Sequence, residues 1–183
     1  NEYLTVAKEI AKEASEIAVK YFSFDIQETW KDNDTPLTQA DTEINELVIR
    51  KMNEHFPEHS ILGEEASATK LNSKYTWVCD PIDGTMAYSC GLPMFTFSLA
   101  LVDQSTGQPV LGIIDDPIMK NTYWAIKGEG TYRNGKKINV VQSTTLKNTY
   151  MNLGGGSVLD AEQMKEQALS LLRKGGARSF ILP

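Results

Sequence analysis

The chain has 183 residues, 41% of them hydrophobic and 23% charged, with a formal net charge of −6. That length carries a sizeable core, and the acidic balance gives no general attraction to nucleic acid or to an anionic membrane surface. No run of about 18 apolar residues occurs, so no membrane-spanning helix is expected.

The N-terminal stretch predicts a helix over residues 2–22. Val6, Ile10, Ile17 and Tyr21 recur at helical spacing, with Ala7, Ala11, Ala14 and Ala18 beside them. "FDIQETWKDNDTP" follows as a polar connector with turn signals, and its Trp30 is expected to be partly exposed or at an interface. A second helix is predicted from Thr38 to His55, with Ile44, Leu47, Val48 and Met52 on one face. Thr38 suits its N-cap, and Pro57 lies just beyond its end. His55 and His59 flank that proline and are expected to be solvated.

The period then changes. "YTWVCD", "FTFSLALV", "PVLGIID", "NTYWAIK" and "GTYRNGKKINVV" are short and rich in β-branched or aromatic residues, as strands are. Short turn-like links favour antiparallel pairing, and Asn134-Gly135 is a hairpin signal. Trp77, Trp124 and Cys79 read as core residues. Two helices followed by a series of strands predict an α+β layer, with two helices packed on a largely antiparallel sheet.

Beyond residue 147 the pattern changes again. "NTYMNL" and "ARSFIL" read as strands. Between them lie a "GGGS" loop and a helix from Asp160 to Lys174, with Met164, Ala168, Leu171 and Leu172 aligned and Gly175 as its stop. Strand, helix and strand make a βαβ unit, which cannot cover both faces of its own sheet. The expectation is therefore an N-terminal α+β domain over 1–147 and, over 148–183, the truncated start of a second, α/β domain. Two cysteines, Cys79 and Cys90, make neither a disulfide framework nor a zinc spacing, which fits a reducing cytoplasm.

Three acidic positions carry the chemistry. In "DPIDGT", Pro81 fixes φ and removes a donor, so the chain turns as it leaves its strand. That turn can aim Asp80, the Ile82 carbonyl and Asp83 at one point, as a hard cation such as Mg²⁺ requires. Gly84-Thr85 offers free amides to a phosphate oxygen. The same hexapeptide reads equally as a capped turn. In "ILGEEAS", Glu64 and Glu65 are adjacent, so if one points inward the other points out; a solvated acidic loop explains them as well. Asp41, in "PLTQAD", stands at near capping-box spacing from Thr38, which is a structural role in itself.

Together, "DPIDGT", the upstream "GEE" and "PLTQAD" resemble the inositol monophosphatase family of Mg²⁺-dependent, lithium-sensitive phosphomonoesterases. "GLPMFTFSLAL", "PVLGIIDDP" and "GEGTYRNGKKINV" extend the resemblance over nearly the whole chain, and "SILGEE" with "GLP" is similar to the histidinol-phosphate phosphatase branch. The resemblance implies an αβαβα layered fold, here incomplete, a homodimer, and a small phosphorylated metabolite as substrate. It implies that Glu64, Asp80 and the Ile82 carbonyl hold one Mg²⁺, and that Asp80 and Asp83 share a second. Thr85, with Glu64, would orient the attacking water, and the Gly84 and Thr85 amides would meet the phosphate. Asp41 would stand behind the ligands or at a weak third metal. The family's Trp-Asp motif does not follow before Pro183, and Met86-Ala87 replaces a more polar pair. The fragment is therefore expected to be weak or inactive as an enzyme. The rival expectation is a non-catalytic fragment that binds a cation or a partner chain.

Overall fold

The computed structural model describes residues 1–23, 26, 28–31, 36–142, 145–147, 150–152, 166, 169, 170 and 179–181. The first helix, α1, spans Glu2–Tyr21. Ala7, Ala11, Ala14 and Ala18 are buried beside Val6 and Ile10, and their small side chains let α1 lie close against its neighbours. The second helix, α2, spans Gln39–His55 and buries Ile44, Leu47, Val48 and Met52. Thr38 caps it, and Asp41 completes the capping box, as the sequence spacing predicts.

The polar connector between the helices is not structureless. It holds a short antiparallel hairpin, β1 (Glu28–Trp30) and β2 (Pro36–Thr38), with Trp30 paired to Pro36. Three-residue strands are too short to show a hydrophobic period, so the sequence conceals them. Trp30 is exposed.

Seven further strands form one sheet in sequence order: β3 (Ser60–Gly63), β4 (Tyr75–Asp83), β5 (Thr96–Asp103), β6 (Gln108–Asp116), β7 (Asn121–Ile126), β8 (Gly130–Arg133) and β9 (Lys136–Ile138). β3 runs parallel to β4 and every other neighbouring pair is antiparallel. Asn134 and Gly135 both take positive φ at the β8–β9 turn, the geometry that Asn-Gly favours. Helix α1 packs on α2 and on β5 and β6, while α2 packs on β4. Trp77, Phe97, Leu99, Leu101 and Ile113 point into this core. Trp124 is only half-buried, and Cys79 is fully inside.

His59 is not solvated as expected. Its Nδ1 accepts a hydrogen bond from Trp77 Nε1–H at 3.1 Å, and its ring lies against Tyr3, Phe56 and Tyr75. Burial lowers its pKa. A base whose pKa is depressed by folding contributes stability above its unfolded pKa and loses it as pH falls from there through its folded pKa. Between about pH 7 and about pH 5, the melting temperature should therefore fall more steeply in the native chain than in His59→Gln, which keeps an acceptor but does not titrate. Melts followed by tryptophan fluorescence check this, and equal slopes would contradict it.

The chain divides into two compact units, Asn1–Asn139 and Val140–Pro183. In the second, β10 (Tyr150–Asn152) and β11 (Ser179–Ile181) pair in parallel, and Glu166, Leu169 and Ser170 are helical. The "GGGS" loop, Met164, Ala168, Leu171, Leu172 and Gly175 lie outside the described residues. Among the described residues, no helix is long and apolar enough to cross a membrane.

Candidate active site

The parallel β3–β4 pair delivers the first acid. Gly63 pairs with Cys79, and the Glu64 amide donates to the Cys79 carbonyl at 3.1 Å. This places Glu64 beside Asp80. A Cβ at Gly63 would collide with the Asn45 side chain and the Ala66 carbonyl, which are themselves joined by a 3.1 Å hydrogen bond from Asn45 Nδ2. Only glycine fits at that crossing.

The second segment is the end of β4. The strand does not stop at Asp80 but runs on to Asp83 through a bulge. Asp80 pairs with Ser98 and Asp83 with Thr96, so three steps on β4 match two on β5. Pro81, which lacks a ladder donor, is accommodated within the bulge. The Ile82 side chain is buried in the core, which fixes the orientation of its carbonyl. Thr85 Oγ1 donates to that carbonyl at 2.8 Å. Gly84 turns the chain at φ +98° into a short helix, α3 (Thr85–Ser89). Tyr88 anchors α3: its ring meets Phe95 edge-on at 4.7 Å, and its hydroxyl donates to the Ala18 carbonyl at 2.7 Å.

Asp41 comes from the first turn of α2 and is fully buried. Its Oδ2 accepts from the Thr38 amide at 2.8 Å and from the Thr38 hydroxyl at 2.6 Å. Its Oδ1 is buried without a partner. Burial raises its pKa, with Glu65 adding to the rise, while the Thr38 bonds and Lys31 oppose it.

The acids act on one another. Burial, followed by the charges of Glu64 and Asp83, pushes the Asp80 pKa up to about 7; a hydrogen bond with Glu64 and the charge of Asp41 add to this. Asp80 Oδ1 is also buried without a partner. A buried carboxylate oxygen that lacks a donor, among like charges, is costly until something positive meets it. The adjacent Cys79 thiol is pushed up by burial and by Asp80, which makes it inert. Asp83 is exposed.

Lys31 also reaches the acids. It follows β1 directly, and its ammonium lies 2.8 Å from Glu64 Oε1 and 2.5 Å from Glu65 Oε1. Burial opposes its charge, but the two glutamates outweigh it, and its pKa is raised. No composition or spacing marks this lysine, because its place depends on the β1–β2 hairpin. Glu65 does not point away: its side chain is 12% exposed, against 40% for Glu64. The alternation of faces ends with β3 at Gly63, so both glutamates lie in the bend beyond it and both reach the same cation.

Oxygen donors of this kind suit a hard divalent cation, and the unpartnered oxygens of Asp80 and Asp41 give it somewhere to bind. The donors are not pre-arranged: among the described residues, no three Asp, Glu, His or Cys side chains stand in ready ligand geometry. Glu64 is turned to Lys31 instead. The fit is therefore one of donor chemistry.

Layered helices on a mostly antiparallel sheet, with acids gathered from three chain segments, define a class that comparison with known proteins identifies. The sequence profile of the Inositol monophosphatase family matches residues 1–181. The chain belongs to that family. It is 32% identical over 163 residues to Inositol monophosphatase 1 of Solanum lycopersicum, covering 87% of this chain and 59% of that one. It is 33% identical to a histidinol-phosphatase of Chlorobaculum parvum, covering 75% of this chain and 52% of the relative. The chain thus spans little more than half the length of these relatives. Its fold matches that of the extragenic suppressor protein SuhB from Bartonella henselae with a TM-score of 0.89, at 22% identity, covering all of this chain and 70% of that one.

Proposed function

We propose that this chain carries the metal-binding part of a Mg²⁺-dependent phosphomonoesterase for small phosphorylated metabolites of the inositol monophosphate or histidinol phosphate type. The observation that carries the reading is the buried, unpartnered Asp80 oxygen, which lies among Glu64, Asp83 and Asp41. Glu64, Asp80 and the Ile82 carbonyl would hold one Mg²⁺, and Asp80 and Asp83 a second. Bound there, the metal supplies positive charge that makes water more acidic and offsets the charge on phosphate oxygens.

The protein groups do the positioning. Thr85 donates its hydroxyl proton to the Ile82 carbonyl, so its oxygen lone pairs are left to accept from the attacking water. Glu64 accepts a proton from the same water. Asp83 and the Gly84 and Thr85 amides face the phosphate at the head of α3. Asp41, satisfied on one oxygen by Thr38 and without a partner on the other, would stand behind the ligands as a further negative charge. No nucleophilic side chain is needed. The homodimer and the cytoplasmic location belong to the same reading and rest on the family alone.

A second reading is a non-catalytic module that binds a cation or a partner chain. The ammonium of Lys31 between Glu64 and Glu65, and the lack of ready ligand geometry among the described residues, favour it. On either reading, the 183-residue chain by itself is expected to turn over near background.

Phosphate release separates the two readings. In a form extended to its relatives' length, inositol monophosphate or histidinol phosphate should be hydrolysed with Mg²⁺ and not in excess chelator. Undiminished turnover in chelator would rule out the metal-dependent reading. Silence of the extended form on both substrates in Mg²⁺ would favour the non-catalytic one.

A further inference from the structure

We infer that a second ligand site lies between α1 and the β6–β7 end of the sheet, and that it takes a small phosphomonoester bearing an aromatic ring, of the nucleoside monophosphate kind. The inference does not rest on the phosphatase reading. A cavity of about 890 Å³ opens there, within the range of small-molecule sites. It lies wholly in the first unit, and none of Asp41, Glu64, Asp80 and Asp83 lines it.

Its charge is opposite to that of the chain. Lys8 and Lys12 stand four residues apart on α1 and so share one face of the helix, and Lys20 lines the cavity about two turns further on. Lys120 faces them from the β6–β7 turn. Against these four stand two lining carboxylates, Glu16 and Asp115, and Glu43 outside the cavity pairs with Lys20 at 3.5 Å, which leaves an excess of one positive charge on a chain whose net charge is −6. Asp115 is already engaged: it accepts from the Ser15 hydroxyl at 2.5 Å and from the Thr122 hydroxyl. Glu16 holds only Lys12, at 3.8 Å, with both side chains well exposed, a contact of little strength. Lys8 and Lys120 have no ion pair among the described residues. The two ammonium groups without an ion pair, on Lys8 and Lys120, suit the charge of a phosphomonoester, about −1.5 to −2 at neutral pH.

The floor selects a ring. Trp124 lines the cavity beside Val19 and Pro117, and Tyr132 braces its indole in parallel at 3.9 Å and 8°. A braced indole gives a flat, rigid stacking surface. The Lys8 ammonium lies 4.3 Å from the centroid of the Trp124 ring. A phosphate on a ring-bearing ligand draws that ammonium toward the rim, because a charge-assisted hydrogen bond outweighs an exposed cation–π contact. The ring then takes the place on the indole that the ammonium leaves.

The test titrates the chain with AMP in chelator and follows tryptophan fluorescence, with adenosine and inorganic phosphate as separate arms. Saturable quenching by AMP is expected, at least about tenfold tighter than with either half alone. Lys120→Glu, a surface change, should weaken it by about tenfold or more, and Trp124→Leu should abolish the quench. Asp80→Asn should leave AMP binding unchanged. Absence of saturation, equal binding of adenosine or phosphate, indifference to Lys120→Glu, or loss in Asp80→Asn would each overturn the proposal.

Discussion

Replacing Asp80 by Asn is expected to abolish Mg²⁺ binding by this chain and to cut phosphate release by the extended enzyme by at least about 10²- to 10³-fold. Asp80 is the residue on which the other acids converge: Glu64, Asp83 and Asp41 all raise its pKa, and one of its buried oxygens has no partner. Removing its charge removes the ligand shared by both proposed metals. Folding should survive, because the substitution keeps the shape of the side chain. A pKa raised to about 7 by folding means that ionised Asp80 opposes the folded state once the metal is gone. Its contribution to stability is present below its unfolded pKa of about 3.9 and is lost as pH rises through about 7. In chelator above pH 7, the Asn variant should therefore melt higher than the native chain, and in Mg²⁺ it should melt lower. Thermal melts with and without Mg²⁺ read both signs. The same order in both conditions would contradict the assignment.

Gly84→Ala should damage the fold and the site far more than the same change in an open turn. The residue sits at φ +98°, and a Cβ there would lie 2.7 Å from the Met94 carbonyl, which is backbone and cannot swing aside. The conformation alone costs about 1–3 kcal/mol for a residue with a side chain, and the clash adds to it. Relief requires moving the segment that carries Asp83 and Thr85, so the bond from Thr85 to the Ile82 carbonyl would be lost with it. Gly107→Ala is the control: its φ is +65°, but nothing lies within 4 Å of the added carbon. Denaturant melts should show a clearly larger loss for Gly84→Ala. Equal losses would mean that the close approach to Met94 does not matter.

Much of the layout was legible because the packing follows simple periods. The alanine face of α1, the apolar stripe of α2 and the run of strands from β4 to β9 all repeat often enough to be read. Thr38 and Asp41 carry their capping role in their spacing. The features that escaped depend on contacts between distant segments. The bulge at Pro81 is defined only by its partners Ser98 and Thr96. Lys31 acquires its role from a hairpin of three-residue strands, and His59 from the indole of Trp77. Adjacent Glu64 and Glu65 read as residues on opposite faces only if a strand continues through them, and β3 ends at Gly63. The site residues themselves stood out chemically, as oxygen donors beside a proline and a glycine, while their approach to Lys31 did not.

If Glu64, Asp80 and the Ile82 carbonyl make a cation site, calorimetric titration of the metal-free 183-residue chain with Mg²⁺ will register it. One class of saturable site is expected in the native chain and none in Asp80→Asn. Equal binding by both chains, or no saturable binding by the native one, would contradict it.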